Sequence, residues 1–492
     1  MAKAKILLID DADNDRIIVK DYLMAQGYEV LDAATGEDGL DRMAEKPDLV
    51  VLDLGLPRKQ GFEVLDDIRN NPDTGATPVL ILTSVSEKVA LQNPGYRGAN
   101  EFLEKPFDLE VLHERIRKIL KQVKPYSSED KSSWLRLYTV SGHRVQAQAS
   151  GIINKDVLSD DTLSVNAPAY SKFFTADDPH WRDQARDKGY RLYEQLIGKH
   201  KDVADLYAEV RGEELLHIRA RCLRDFLELP FESLCDAPLG EAGDYLVLKH
   251  PLARSLFRVD TRRTAVDREF LNGLHKRGEK LRILLIASNT PEPDIPGVDI
   301  EATELAKLLP QVFERKRIET EIVFLPTHLA TYARVRRELK NDKYHIVHYA
   351  GHGRHVPDRP DESCLFFWED ESRKGAIKEL RATELDILLW SSSVRFLYLS
   401  CCEGAASANA ARAVDGDFLG IAEAAVNRGV PAVLAYRWPV SDGGALCLAR
   451  TFYTELAEDG RIDVALMRAR REVAAQDKND RTWMSPILFL QD

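Results

Sequence analysis

The sequence predicts an α/β protein built on two successive, mainly parallel sheets, and three observations carry that expectation. Short apolar runs alternate with amphipathic segments over residues 1–122. The same alternation resumes at residue 282 and continues toward the C-terminus. The runs are only three to six residues long, which suits strands buried on both faces better than helices or membrane spans. A length of 492 residues suggests about three domains. Hydrophobic residues make up 44% and charged residues 30%, an ordinary globular balance.

In the first region, residues 5–9 read as the opening strand and 13–26 as a helix closed by Gly27. Residues 28–31, 49–52, 79–82 and 101–103 are the next strands. A second helix is expected over 36–45, and a last one over 109–123 with Asp108 placed to cap it. Five strands separated by helices predict a doubly wound parallel sheet, whose active residues gather at the carboxyl ends of the strands. Residues 123–133, which include Lys124-Pro-Tyr-Ser-Ser, read as a linker. In 134–281, strands are expected at 134–140 and 216–220, and helices at 181–197 and 201–210. In 282–492, strands are expected at 283–287, 321–325, 345–349, 394–399 and 432–435, with helices at 300–315, 331–339, 418–428 and 444–456.

Composition excludes several classes. Lys and Arg total 68 against 80 Asp and Glu, a formal charge of −12. That balance, with no basic run, argues against binding nucleic acid or an anionic membrane surface. No stretch approaches the ~18 apolar residues of a membrane span. The opening MAKAKILLIDD runs into two acids without a small-residue cleavage site, so secretion is not expected. Six cysteines with no CxxC pair suggest reduced thiols in a cytoplasm.

Asp10 and Asp11 follow the first strand, Asp53 the third, Thr83 the fourth and Lys105 the fifth. A parallel doubly wound sheet would bring these side chains to one edge. Carboxylates so gathered repel one another unless a cation sits among them, and a hard divalent ion such as Mg²⁺ fits oxygen ligands. The cluster suits phosphoryl transfer onto a carboxylate, with Lys105 and Thr83 able to meet the new phosphoryl oxygens. A set of helix caps and surface acids is the structural alternative.

Over residues 1–122 the chain resembles a response-regulator receiver domain, through ILLIDD (6–11), VVLDLGLPRKQG (50–61), ILTS (81–84) and FLEKPF (102–107). The resemblance implies that Asp53 is the phosphoacceptor. It implies that Asp10, Asp11 and the Gly55 carbonyl complete an Mg²⁺ site with it. Thr83 and Phe102 would be the switch pair, and Lys105 would precede a cis Pro106.

In the last region, His352 lies in HYAGHG (348–353) and Cys401 and Cys402 in LYLSCCEG (397–404), each just past an expected strand. If those strands are parallel neighbours, imidazole and thiol meet at one edge, as a cysteine nucleophile with a base requires. Glycines flanking His352 free backbone N–H groups for an oxyanion. The alternatives are a buried structural cysteine or a zinc site among His345, His348, His352 and His355. His345 and His348 differ by an odd number, so on a strand they face opposite ways and do not chelate together. Cys401 and Cys402 likewise point apart, so one alone can be the nucleophile.

Residues 130–492 resemble the CHAT family of caspase-like cysteine peptidases, relatives of separase. YAGHG (349–353) matches the family's His-Gly motif and LSCCEG (399–404) its Leu-Ser-Ala-Cys-Glu motif, which aligns Cys402 with the nucleophile. Residues 420–442, LPFESL (229–234) and YLVL (245–248) also match. The departures are Cys401 and Gly-Ala after Glu403. The resemblance implies His352 as general base or ion-pair partner, Cys402 as nucleophile and the Gly353 and Cys402 amides as oxyanion donors. Asp442, in WPVSD (438–442), resembles the acid of an arginine-binding pocket, although it is also placed to cap the following helix. Asp415 or Asp417 could serve instead.

The expected protein is a two-component response regulator with a caspase-like endopeptidase output. A sensor histidine kinase would phosphorylate Asp53, a homodimer could form on phosphorylation, and a protein substrate would be cleaved after a basic residue. The peptidase itself would need no cofactor. The rivals are a signalling scaffold with a non-proteolytic caspase-like fold, and a transcriptional regulator, disfavoured by the charge and by the lack of a helix-turn-helix pattern.

Overall fold

The computed structural model describes residues 4–71, 74–75, 77–83, 99, 101–122, 133–140, 144–150, 155–158, 180–213, 215–221, 229–241, 244–255, 265–290, 295, 297–341, 343–356, 359–370, 376–389, 392–400, 419–427, 429–438, 440–477 and 479–490. The N-terminal sheet contains β1 (Lys5–Ile9), β2 (Glu29–Ala33), β3 (Leu49–Asp53), β4 (Val79–Thr83) and β5 (Glu101–Glu104). All pairs are parallel, in the order β2-β1-β3-β4-β5. Its central strands are apolar throughout because both faces are covered. Leu7, Ile9, Val50 and Leu52 pack with Val64, Leu65 and Ile68 of the helix Gly61–Asn70. Ile6, Leu8, Leu49 and Val51 pack on the other face with Val19 and Leu23 of Asp13–Ala25 and with Leu112 and Ile116 of Leu109–Gln122. Each such buried aliphatic side chain stabilises the fold by about 1.5–3 kcal/mol.

The helix Gly61–Asn70 is absent from the sequence expectation. It is started by a capping box, in which the Gln60 N–H donates to the Glu63 carboxylate at 2.8 Å. The helix expected over 36–45 divides into Gly36–Arg42 and a 3₁₀ turn, Met43–Glu45, ended by Lys46 in the left-handed region. Asp108 accepts from the Glu110 N–H at 2.7 Å, the cap expected of it.

Downstream lie β6 (Ser133–Val140), β7 (Arg144–Ser150), β8 (Lys155–Leu158), β9 (Leu216–Arg221), β10 (Leu252–Ser255), β11 (Leu281–Ser288), β12 (Thr320–Leu325), β13 (Ile346–Gly351), β14 (Gly353–Arg354), β15 (Cys364–Trp368), β16 (Ile377–Arg381), β17 (Phe396–Ser400), β18 (Ala432–Tyr436) and β19 (Pro486–Leu490). β14, β15 and β16 form a small antiparallel sheet. The other eleven form one sheet, ordered β12-β11-β13-β17-β18-β19-β10-β9-β6-β7-β8. β12, β11, β13, β17 and β18 run parallel to one another, so all five end at one edge. β19 runs antiparallel to β18 and parallel to β10, which joins strands from before and after residue 281 in one sheet.

The seam at β10 and β19 holds buried charge. Arg254 of β10 donates from Nε to Glu232 Oε1 at 3.1 Å and from Nη2 to Glu232 Oε2, with its guanidinium over the Phe231 ring. Arg470, on the helix Ile462–Gln476, donates to the Pro486 carbonyl at the start of β19. Removing one partner of such a pair leaves an uncompensated charge in low dielectric. Glu232→Gln should therefore lower stability by about 3 kcal/mol or more. The check is the midpoint of urea unfolding followed by tryptophan fluorescence, and an unchanged midpoint would show that the pair does not support the seam.

Candidate functional site

Two groups of chemistry-bearing side chains lie at carboxyl ends of strands. In the N-terminal sheet, Asp10 follows β1 and Asp53 ends β3, and both are buried. Each of Asp10, Asp11 and Asp53 offers a carboxylate oxygen within 4.8 Å of the others. The Lys105 ammonium donates to Asp10 Oδ2 at 2.8 Å and to Asp53 Oδ2, joining the ends of β1, β3 and β5. Burial pushes the Asp10 carboxyl above its ordinary range, against the Lys105 and Ala12 hydrogen bonds. Burial works against the Lys105 ammonium, yet its bonds to Asp10 and Asp53 outweigh it and hold its pKa above the usual lysine value. Gly55 donates its N–H to Asp53 Oδ1 at 2.9 Å, so the loop after β3 is fastened to that carboxylate.

This donor set fits a hard divalent cation. It is all oxygen, anionic and crowded. Thr83 ends β4, and its side chain lies outside the described residues. Phe102, on β5, is buried in the core shared with Ile9, Leu52 and Ile81. The Lys105–Pro106 peptide is cis, as the receiver resemblance implies.

The second group is carried by β13 and β17, which are parallel neighbours with Ala350 opposite Ser400. In sequence His352 stands two residues past Ala350, and Cys402 two past Ser400. Cys401, Cys402, Asp415 and Asp417 lie outside the described residues. His352 is buried, and its carbonyl accepts from the Tyr349 hydroxyl at 2.7 Å and from the Phe366 N–H at 3.2 Å. Gly351 is needed for the approach of β11, because a Cβ there would sit 2.7 Å from the Ser288 carbonyl oxygen. Gly353 pairs with Leu365 in the β14–β15 ladder. His345 packs edge-on against Phe270, whereas His348 stacks on Tyr398. Burial lowers the His345 pKa to about 4.

Asp442 is the first residue of the helix Asp442–Asp459, which follows β18 at the same sheet edge. The capping role considered for it belongs instead to Ser441. That hydroxyl accepts from the Gly444 N–H at 3.0 Å and donates to Asp480 at 2.7 Å. The Asp442 carboxyl group lies against Gly297, where an added Cβ would be 2.2 Å from its carbon. It therefore meets the first turn of the helix Gly297–Glu314, a favourable end for an anion.

A third set, missed in the sequence, lies under these strand ends. The buried Glu301 carboxylate accepts from Ser400 Oγ at 2.9 Å and pairs with His348 Nε2 at 3.0 Å. His348 Nδ1 lies 3.1 Å from the Tyr453 hydroxyl. A signal for it existed. Val298, Ala302, Leu305 and Leu309 form the buried stripe of their helix, and Glu301 is a lone acid within it.

Removing Lys105 would leave the Asp10 and Asp53 carboxylates facing each other. Lys105→Met should cost about 1–3 kcal/mol at pH 7. The Lys105 hydrogen bond and charge lower the Asp10 pKa against burial, so without them the folded-state pKa is raised still further above the unfolded value of 3.8. The deficit should accordingly shrink as pH falls through that raised pKa. Thermal melts of both proteins between pH 7 and pH 4 test this; a deficit that grows toward acid would contradict it.

The response regulator receiver domain profile matches residues 6–117, and the CHAT domain profile matches residues 188–489, more than half of the chain. A probable transcriptional regulator, ycf27, of Porphyridium aerugineum is 39% identical over 132 residues, which are 26% of this chain and 53% of that protein. The chain thus spans about half the length of that relative. A probable chemotaxis protein CheY of Rhizobium etli is 32% identical over 124 residues, 25% of this chain and 96% of that protein. The structure of the chemotaxis response regulator CheY4 of Vibrio cholerae is 31% identical, covering 24% of this chain and 99% of that one, with a TM-score of 0.23. Among the described residues no helix is long and apolar enough to cross a membrane. The five-stranded sheet is a response regulator receiver domain, and the chain that follows it makes this protein a member of the CHAT-domain family, a caspase-like peptidase family.

Proposed function

We propose that the chain is a two-component response regulator whose output is a caspase-like cysteine endopeptidase controlled by phosphorylation of Asp53. The observation that carries this reading is the parallel pairing of β13 with β17, since His352 and Cys402 follow the two strands at equal distances from the Ala350–Ser400 pair. It is supported by a receiver domain on the same chain, with Lys105 bonded to both Asp10 and Asp53.

A sensor histidine kinase would be the phosphoryl donor. The Asp53 carboxylate oxygen attacks phosphorus, the bond to the donor imidazole breaks, and Lys105 balances the added negative charge. Asp10, Asp11, Asp53 and the Gly55 carbonyl would hold Mg²⁺, which when bound supplies positive charge to the phosphoryl oxygens. Thr83 and Phe102 would relay the change, and a homodimer would be its product.

In the peptidase, His352 takes the Cys402 proton and the thiolate attacks the substrate carbonyl carbon. The C–N bond then breaks, the leaving amine takes the proton from His352, and water hydrolyses the thioester. The Gly353 and Cys402 N–H groups would bind the oxyanion. Supporting Gly353 is its ladder position. The neighbouring Phe366–His352 hydrogen bond makes Gly353–Leu365 the pair not bonded to each other, so its N–H is directed away from β15. Asp442 would receive an arginine or lysine side chain of a protein substrate, a preference that fits an acid at the sheet edge shared by β17 and β18. The protein would work in the cytoplasm.

Cleavage-site mapping in a proteome tests the reading. Wild type treated with beryllofluoride and Mg²⁺ should cleave substrates, Cys402→Ala should lose at least about a thousandfold in rate, and Cys401→Ala should keep most activity. Asp53→Ala should lose the response to beryllofluoride. Absence of any Cys402-dependent cleavage would favour a non-proteolytic scaffold, and a rate indifferent to Asp53 modification would remove the coupling.

The pocket assignment has its own check, kcat/KM for peptides carrying Arg, Leu or Asp at the cleaved position. Arg should exceed Leu by at least about a hundredfold, and Asp442→Ala should remove most of that ratio. A preference for Asp or Leu in wild type would refute it. An Arg preference that survives in Asp442→Ala would move the pocket acid elsewhere.

A further inference from the structure

The carboxylate of Glu301 is bonded to both strands that precede the reactive residues. Its Oε2 accepts from Ser400, the last residue of β17, and its Oε1 from His348 of β13, four residues before His352. Glu301, His348 and Ser400 are each at most 1% exposed. The imidazole is held at one face and at both nitrogens. It stacks on Tyr398, its direct neighbour in the β13–β17 register, with ring centroids 4.4 Å apart. Its Nδ1 reaches Tyr453 of the helix that begins at Asp442. Burial keeps the Tyr453 phenol protonated. That hydroxyl can therefore donate to Nδ1, leaving Nε2–H to donate to Glu301.

Hydrophobic packing would seal this layer without any polar group, and a buried carboxylate is costly unless every bond is made. Such bonds are directional and require one register of the two strand ends. We infer that Glu301, His348 and Ser400 are positioning residues that hold the ends of β13 and β17 in the register His352 and Cys402 require. This rests on the peptidase reading above. The three side chains act through the backbone, with no contact to substrate. Misplacement of reacting groups by about 1 Å can cost a hundredfold in rate.

The test compares wild type, Ser400→Ala, Glu301→Gln and the double variant in the full chain, at a temperature where each is fully folded by circular dichroism. Each single variant should lower kcat at least about tenfold with KM within about twofold, and the double variant should be no worse than the poorer single one. Wild-type kcat in both single variants, or additive losses, would overturn the proposal. Iodoacetamide alkylation of Cys402, read by peptide mass, separates it from the peptidase reading. If wild type cleaves nothing, that reading fails, and alkylation decides: rates at least about fivefold slower in both variants support the register, and equal rates overturn it.

Discussion

Adjacent parallel strands that end together are the constraint on which the C-terminal region depends. β13 and β17 share a ladder from Ile346–Phe396 to Ala350–Ser400, and β11 and β18 flank them in the same direction. Backbone hydrogen bonding fixes spacing within such a ladder at about 4.8 Å. Residues leaving neighbouring strands at one level therefore begin within reach of each other. The small sheet β14–β16 then fastens the turn after β13, through the Phe366 N–H bond to the His352 carbonyl and the Ser288 hydroxyl bond to the Phe366 carbonyl.

Buried charge is handled similarly in three places. Lys105 meets two carboxylates in the receiver domain, Arg254 meets Glu232 at the seam, and Asp463 takes bonds from His217 and Arg219. The last of these holds the Asp463 carboxyl well below its usual range, because the Arg219 charge and the His217 bond overcome burial. Trp134, at the start of β6, stacks on His217 at 4.4 Å and lies under the Arg219 guanidinium. The first strand after the receiver domain is thus tied to the helix Ile462–Gln476, close to the C-terminus. The first and last join segments 95 and 246 residues apart in the chain, and each of the three would be expensive to leave half-paired.

The continuous sheet explains why the region upstream of 282 resists reading by itself. β10, already beside β9, completes its pairing only when β19 arrives from the far end of the chain. A five-residue strand such as β19 has no periodicity of its own strong enough to distinguish it from a buried helical turn. The helix Ile462–Gln476 was equally hidden, since Asp463 and Arg470 interrupt its buried face and are explained only by partners elsewhere.

Sequence alone determined the receiver architecture, the main strands of the C-terminal region and the membership implied by their motifs. Local apolar runs report burial on two faces, and Asp10, Asp53, Lys105 and His352 sit at run ends where a parallel sheet must gather them. Tertiary structure decided what depends on contacts between distant segments. It assigned the helix cap to Ser441 in place of Asp442, ordered the strands around β19 and joined Glu301 to His348 and Ser400, 47 and 99 residues away. A side chain's partner across such a separation leaves no mark on local periodicity. Only the folded register, fixed by backbone pairing and packing together, selects it.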